Sequence, residues 1–173
     1  MTTNPHNKWL KKHIENILIP ALQEAGFEWK KQGSVKEVGR EIVLGWPWGS
    51  MRRRNETTMD IVEISLRKRD RSCFRLNAGS CSLEGARDYL NGEHYPAAEI
   101  HSGYLEECWA MVPRGSFYGY FGLWFKPFRN VTEVDYEKLV RRVVSYLPEI
   151  EQALASDKVG PHMKRIRNPR IYK

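Results

Sequence analysis

Two tryptophans stand close to three consecutive arginines in the first third of the chain. Trp46 and Trp48 are followed by Arg52, Arg53 and Arg54. Both residue types are enriched at the energetic centres of protein interfaces, and guanidinium groups bind carboxylates and phosphates through two parallel hydrogen bonds. These five residues therefore predict an exposed surface that binds a protein or peptide partner. A solvated loop with two half-buried tryptophans is the other interpretation.

A second concentration of charge lies at the C-terminal end. The chain has 28 Lys and Arg against 21 Asp and Glu, a net charge of +7. From Lys158 onward there are six basic residues and no acidic one, which leaves 22 basic and 21 acidic residues before that point. Nucleic-acid binding through this tail and the 52–54 loop is therefore an alternative function. A disordered, solubilising end explains the same charges. The candidate phosphate-binding residues are Lys164, Arg165, Arg167 and Arg170.

Residues that could carry catalysis gather only between Cys81 and Cys108. On a strand, His101 shares a face with Glu99, so an acid–base pair or a metal contact is geometrically possible. The segment has neither the H-E-x-x-H spacing of a zinc site nor a G-x-S-x-G serine turn. An enzyme with a His/Glu site near His101 is thus the second alternative. We expect a non-enzymatic protein with no catalytic residue, metal or cofactor.

Aromatic rings are dense between residues 114 and 128. An outward row of Tyr118, Tyr120 and Trp124 could stack bases as in RNA-binding strands, although the spacing does not match such a motif. A buried aromatic strand with a glycine bend explains the same residues. The sequence leaves open whether residues 117–128 belong to the core or to the surface.

Three helices are indicated by apolar residues at intervals of three and four. The first runs from Lys8 to Ala25, with a kink or break at Pro20 and Gly26 in the left-handed position that ends a helix. The others lie near the C-terminus. There a Thr132–Asp135 capping box opens one helix, and Pro148 ends it and opens a shorter one through Leu154. A further short helix is expected at residues 86–90.

Strands are indicated by alternating or continuous apolar runs between these helices. The runs at 61–67 and 73–79 are joined by a polar turn, so they predict an antiparallel hairpin. The other candidate strands are 38–44, 100–105 and 119–125. Helices at both ends of such a run of strands are typical of an α+β protein, in which a mostly antiparallel sheet of four to five strands carries the N- and C-terminal helices on one face.

Composition sets the domain organisation and the setting. A single α+β domain is expected over residues 1–157, followed by a basic, flexible tail over 158–173. Three cysteines, without a C-x-x-C pair, are too few for a disulfide framework. The sequence shows neither an apolar signal region nor a run long enough to cross a membrane. These features favour a cytoplasmic protein.

The order of segments resembles a known family. Residues 13–22, which read HIENILIPAL and lead into Ala25-Gly26-Phe27, resemble the start of bacterial domain-of-unknown-function family 4304. The run VEISLRK at 62–68, followed by FRLNAG at 74–79, is similar to that family's central hairpin. The resemblance covers about residues 10–155 and departs from the family at 39–58 and in the tail. It implies an α+β fold and a bacterial source, and it brings no activity or catalytic residue.

Overall fold

A computed structural model describes residues 5–29, 48–67, 72–114, 119–123 and 130–168. Its helices are α1 (Pro5–His13), α2 (Ile19–Glu24), α3 (Glu133–Val144) and α4 (Leu147–Ser156), and a π-helical turn, Ile14–Leu18, joins α1 to α2. The strands are β1 (Glu28–Trp29), β2 (Ser50–Arg54), β3 (Thr58–Leu66), β4 (Phe74–Ser82), β5 (Ala86–Arg87), β6 (His94–Tyr95), β7 (Glu107–Met111) and β8 (Met163–Arg167). The predicted α+β class with a mostly antiparallel sheet is confirmed, and the strand count is larger than expected.

The first helical segment adapts to its proline by widening. Pro20 has no N–H to donate, and the N–H of Ile19 just before it bonds to the carbonyl of Ile14, five residues back. The chain therefore passes through a π turn into α2. Gly26 has a φ of 87°, and the N–H of Phe27 donates to the carbonyl of Leu22 at 3.0 Å. This is the glycine-terminated helix end that the sequence predicts.

The C-terminal helices begin where their capping residues lie. The carboxylate of Asp135 accepts from both the N–H and the hydroxyl of Thr132 at 3.0 Å, which fixes the first turn of α3. Pro148 occupies the first turn of α4, where a missing N–H costs nothing. The predicted capping box and the predicted helix after Pro148 are both confirmed.

In the described residues, six strands form the main sheet, in the order β1-β2-β3-β4-β7-β8, with every neighbouring pair antiparallel. The predicted hairpin is its centre, since Ile64 pairs with Leu76 and Leu66 with Phe74. β5 and β6 form a separate two-stranded sheet. β8 lies at one end of the main sheet, next to β7.

The two faces of the main sheet pack against different parts of the chain. One face joins the apolar sides of α1 to α4 in one large core, which includes Val62, Leu76 and Met111. The opposite face is covered by residues 96–105, here called the cover segment, which add Ala97, Ile100 and Leu105 to a small apolar cluster. A Cβ at Gly79 would lie 2.6 Å from the Leu105 side chain, so this glycine lets the cover segment approach the sheet closely.

Three expectations about local structure are wrong. The predicted strand at 100–105 contains a 3₁₀ turn, Ser102–Tyr104, because this segment is bonded to the sheet face through side chains and lies outside its ladder. The predicted helix at 86–90 instead begins with strand β5. Residues 163–167, expected in a flexible tail, form β8. In the predicted strand at 119–125, Phe121 makes a single β-bridge with Phe74. Residues 124 and 125 of this strand, and the whole predicted strand at 38–44, lie outside the described residues.

Candidate functional site

Trp48 is part of the core and does not face solvent. Trp48 is 4% exposed, and its indole Nε1–H donates to the Glu15 carboxylate at 2.9 Å. The indole N–H of Trp29 donates to the Trp48 carbonyl at 2.8 Å, which ties β1 to the start of β2. The predicted exposure of Trp48 is therefore wrong. Trp46 lies outside the described residues.

The three arginines do not form one surface, because neighbouring residues on β2 point to opposite faces. Arg53 points toward the helices, where its guanidinium bonds to Asp60 at 2.9 Å and to Glu151 at 2.7 Å. Burial favours a lower pKa for Arg53, but these two carboxylates raise it. Arg53 therefore joins β2, β3 and α4, and its charge is neutralised within the fold.

Arg52 points to the opposite face and attaches the cover segment. Its guanidinium donates to the carbonyls of Ala97 at 2.7 Å and Ile100 at 2.8 Å. Burial lowers the pKa of Arg52, and the negative charge of Glu63 opposes that shift. Only Arg54, at the end of β2, is exposed among the predicted binding residues of this strand. The predicted Trp/Arg surface is thus dispersed by the alternation of the strand.

Replacing Arg52 tests its role as a structural link. Arg52→Ala leaves two buried carbonyls without their donor, so we expect a loss of about 2–3 kcal/mol in the free energy of unfolding and faster hydrogen exchange in residues 96–105. Arg54→Ala on the same strand is the matched control, with an expected change within about 0.5 kcal/mol. Urea unfolding and hydrogen-exchange mass spectrometry measure both effects. Equal behaviour of the two variants would show that Arg52 does not hold the cover segment.

A buried carboxylate forms the polar centre under the cover segment. Glu63, on β3, is 0% exposed. One of its oxygens accepts from Ser50 at 2.7 Å and lies 2.6 Å from His101 Nδ1, while the other accepts from Ser102 at 2.7 Å. Ser50 and Asn77 flank Glu63 on the neighbouring strands. The sheet therefore supplies the acceptor, and the cover segment supplies two of its three partners.

The surroundings of Glu63 keep it ionised. Burial alone raises the pKa of a carboxyl group, but the hydrogen bond and charge of His101, with the hydroxyls of Ser50 and Ser102, lower the pKa of Glu63 below its usual value. His101 therefore has a carboxylate partner, as the enzyme hypothesis requires, although this partner is Glu63 and not the exposed Glu99. With a His101 side chain 8% exposed, the pair is arranged to fix the cover segment to the sheet.

Sequence analysis missed Glu63 because it lies on the polar side of an alternating strand. Such a residue is normally expected to face water. The available signal was indirect: the strand continues as Glu63-Ile64-Ser65-Leu66, and the facing segment contains His101-Ser102, which can bond a carboxylate. Only the pairing of distant segments shows that the two meet.

A cavity of about 540 Å³ lies beside the cover segment, at the ends of β4 and β7. Its walls include Cys81, Arg87, Tyr89 and Leu105, whereas His101 and Glu63 are not among them. Burial raises the pKa of the Cys81 thiol, which favours its protonated form. Within the described residues, no three His, Cys, Asp or Glu side chains converge in a way that could hold a metal ion.

The basic residues predicted for the tail lie on β8, at the edge of the sheet. Arg165 bonds to Glu107 at 2.7 Å and pairs with Asp157, and Arg167 bonds to the same Glu107 at 3.0 Å. The hydrogen bond from Arg165, with that from Arg167 and the charge of both guanidinium groups, lowers the pKa of Glu107. Lys164 is exposed, and the Arg167 side chain is 75% exposed. Arg170 lies outside the described residues. The sheet thus ends in a basic, accessible strand.

Comparison with known proteins adds no relative. No protein-family model matches the chain, and neither a characterised protein nor a solved structure is significantly similar to it. The resemblance to family 4304 therefore stays a prediction. None of the helices in the part of the chain that the structure describes combines the length and the apolar character that a bilayer crossing requires.

Proposed function

We propose that this protein is a non-enzymatic binding module for a protein or peptide partner, and that the partner binds at β8. The function is the one that the sequence predicts, but the surface is different, because Trp48, Arg52 and Arg53 are used inside the fold. The observation that carries the proposal is the accessible basic strand at the end of the main sheet. Strand edges of this kind are a common docking site for peptides.

The charges around β8 favour a protein partner over a nucleic acid. Arg165 and Arg167 share the carboxylate of Glu107, and Arg165 also pairs with Asp157. Phosphates would have to compete with these carboxylates, and the two acidic groups would repel a polyanionic backbone. A protein segment with a few well-placed carboxylates has a smaller charge density and can pair with Lys164 and the exposed face of Arg167.

Site-specific photocrosslinking in cells tests the proposal. With p-benzoylphenylalanine in place of Lys164, we expect a protein adduct that mass spectrometry identifies, because side chains at this exposed position touch whatever binds β8. The same group in place of Glu56, an exposed residue in the β2–β3 turn, is the control and should give no such adduct. Adducts of equal yield at both positions, or none at either, would refute the proposal. An adduct at position 164 that nuclease removes would assign the surface to nucleic acid instead.

A further inference from the structure

The hydrogen-bonding groups on the outer edge of β8 are defined by its register with β7. The N–H of Val112 donates to the carbonyl of His162, and the N–H of Asn168 donates to the carbonyl of Glu106, both at 2.8 Å. In an antiparallel pair the bonding direction alternates from residue to residue. The even-numbered residues from 162 to 168 therefore face β7, and the backbone groups of Met163, Arg165 and Arg167 point away from the sheet.

Part of this outer edge is already used within the chain. The N–H of Met163 donates to the carbonyl of Gly160 at 3.0 Å, which closes the turn before β8. No strand in the described ranges pairs with the outer side of β8. Arg165 and Arg167 then offer two N–H donors and two carbonyl acceptors at the spacing that one further strand requires.

The side chains on both faces of β8 select the charge of an added strand. Lys164 projects on the same face as Ala110, and Arg165 and Arg167 project on the opposite face with Trp109 and Glu107. An added strand places its own side chains beside these residues, and opposite charges on neighbouring strands stabilise the pair whereas like charges destabilise it. A second copy of β8 would bring Lys and Arg against Lys and Arg, so self-pairing is disfavoured.

We infer that β8 takes up an acidic, extended peptide segment of the partner as a seventh strand of the main sheet. This inference rests on the proposed function and adds the chemistry and the geometry of the partner. Main-chain hydrogen bonds to Arg165 and Arg167 supply the attachment, and carboxylates next to Lys164 and Arg167 supply the charge preference. The Glu107 carboxylate accepts hydrogen bonds from both arginines and holds their side chains on one face of the strand.

Two variants of one residue separate strand addition from simple charge attraction. Arg167→Pro removes an outward N–H and no bond to β7, which edge strands tolerate, while Arg167→Ala keeps the N–H and removes the same charge. The probe is a fluorescent peptide of about ten residues that repeats Glu-Glu-Val-Val, so that carboxylates lie on both faces of the added strand, and its control carries Lys in place of Glu. We expect the acidic peptide to bind at least about tenfold more tightly than the basic one, with a further loss of about tenfold in Arg167→Pro and only about threefold in Arg167→Ala.

Hydrogen exchange in the unaltered protein makes the test independent of how well the variants fold. On addition of the acidic peptide, the amides of Arg165 and Arg167 should gain protection, while those of Lys164 and Ile166, already bonded to β7, should change little. Equal affinity of the two Arg167 variants, no protection at Arg165 and Arg167, or preference for the basic peptide would overturn the inference. If the crosslink at position 164 persists in that case, the proposed function stands and only the mode of binding is wrong; if both fail, both are wrong.

Discussion

Replacing Glu63 with alanine should lower the free energy of unfolding by about 3–5 kcal/mol, the usual cost of removing a buried charged group from its partners. The side chain is 0% exposed and accepts hydrogen bonds from Ser50 and Ser102, with His101 Nδ1 at 2.6 Å. Without the carboxylate, these groups lose their acceptor beneath the cover segment, where water cannot replace it, and Arg52 loses a negative charge that partly compensates its own. This range reflects the buried donors left unpaired, each of which costs about 1–3 kcal/mol.

The matched variant for this prediction is Glu63→Gln, which keeps the shape and one acceptor oxygen. It replaces the other oxygen with a donor that faces the Ser102 hydroxyl or His101, so we expect an intermediate loss of about 1–3 kcal/mol. Urea unfolding followed by circular dichroism gives both values. In hydrogen-exchange experiments, the amides of residues 96–105 should be the first to lose their protection. A change of less than about 0.5 kcal/mol in Glu63→Ala would mean that the cover segment is held by its apolar contacts alone.

The same carboxylate predicts how stability depends on pH. Because the pKa of Glu63 is lower in the folded protein than its ordinary value of 4.5, the unfolded chain binds more protons in the interval between the two values. The contribution of Glu63 to stability is therefore complete above the ordinary value and is lost as the pH falls through the folded value. Unfolding between about pH 3 and pH 6 should show a steeper loss at acid pH in the wild type than in Glu63→Gln. Parallel curves would contradict this prediction.

Features that depend on near neighbours in the sequence could be predicted. Gly26 ends its helix because a residue without Cβ adopts the left-handed conformation easily, and the Thr132–Asp135 pair caps α3 within one turn. The central hairpin also follows from local pattern, since the 61–67 and 73–79 runs have the right period and a short turn. In each case, the information needed lies within a few residues of the feature it determines.

Features that depend on distant partners could not be predicted from the sequence. His101 lies in a run that the sequence predicts to be a strand, but its position is set by Glu63, 38 residues away. Arg165 and Arg167 have the composition of a solvated tail. Their positions are set by the pairing of β8 with β7 and by the charge of Glu107, which lies 58 residues from Arg165 and 60 residues from Arg167 in the sequence. Basic residues next to tryptophan have the composition of an interface, and whether they form one depends on which face of the sheet each of them occupies.

Trp48 is the residue for which the sequence and the structure predict opposite experimental results. An exposed Trp48 would be replaced by alanine without loss of folding and with loss of partner binding. The structure places it in the core at 4% exposure, with Leu18 and Leu22 in the same apolar cluster. Trp48→Ala should therefore lower the free energy of unfolding by about 3–5 kcal/mol, because it removes a large buried ring and leaves a cavity.

Two further variants separate the apolar packing of Trp48 from its hydrogen bond to Glu15. Trp48→Phe keeps most of the ring volume and removes the N–H, so we expect a loss of about 1–2 kcal/mol, and Glu15→Gln keeps an acceptor and should change stability by less than about 0.5 kcal/mol. Urea unfolding curves measure all three. Crosslinking at position 164 should remain at the wild-type level in any variant that stays folded, because Trp48 does not belong to the proposed surface. A folded, fully stable Trp48→Ala variant that has lost its partner would return the binding site to the Trp/Arg cluster and remove β8 from consideration.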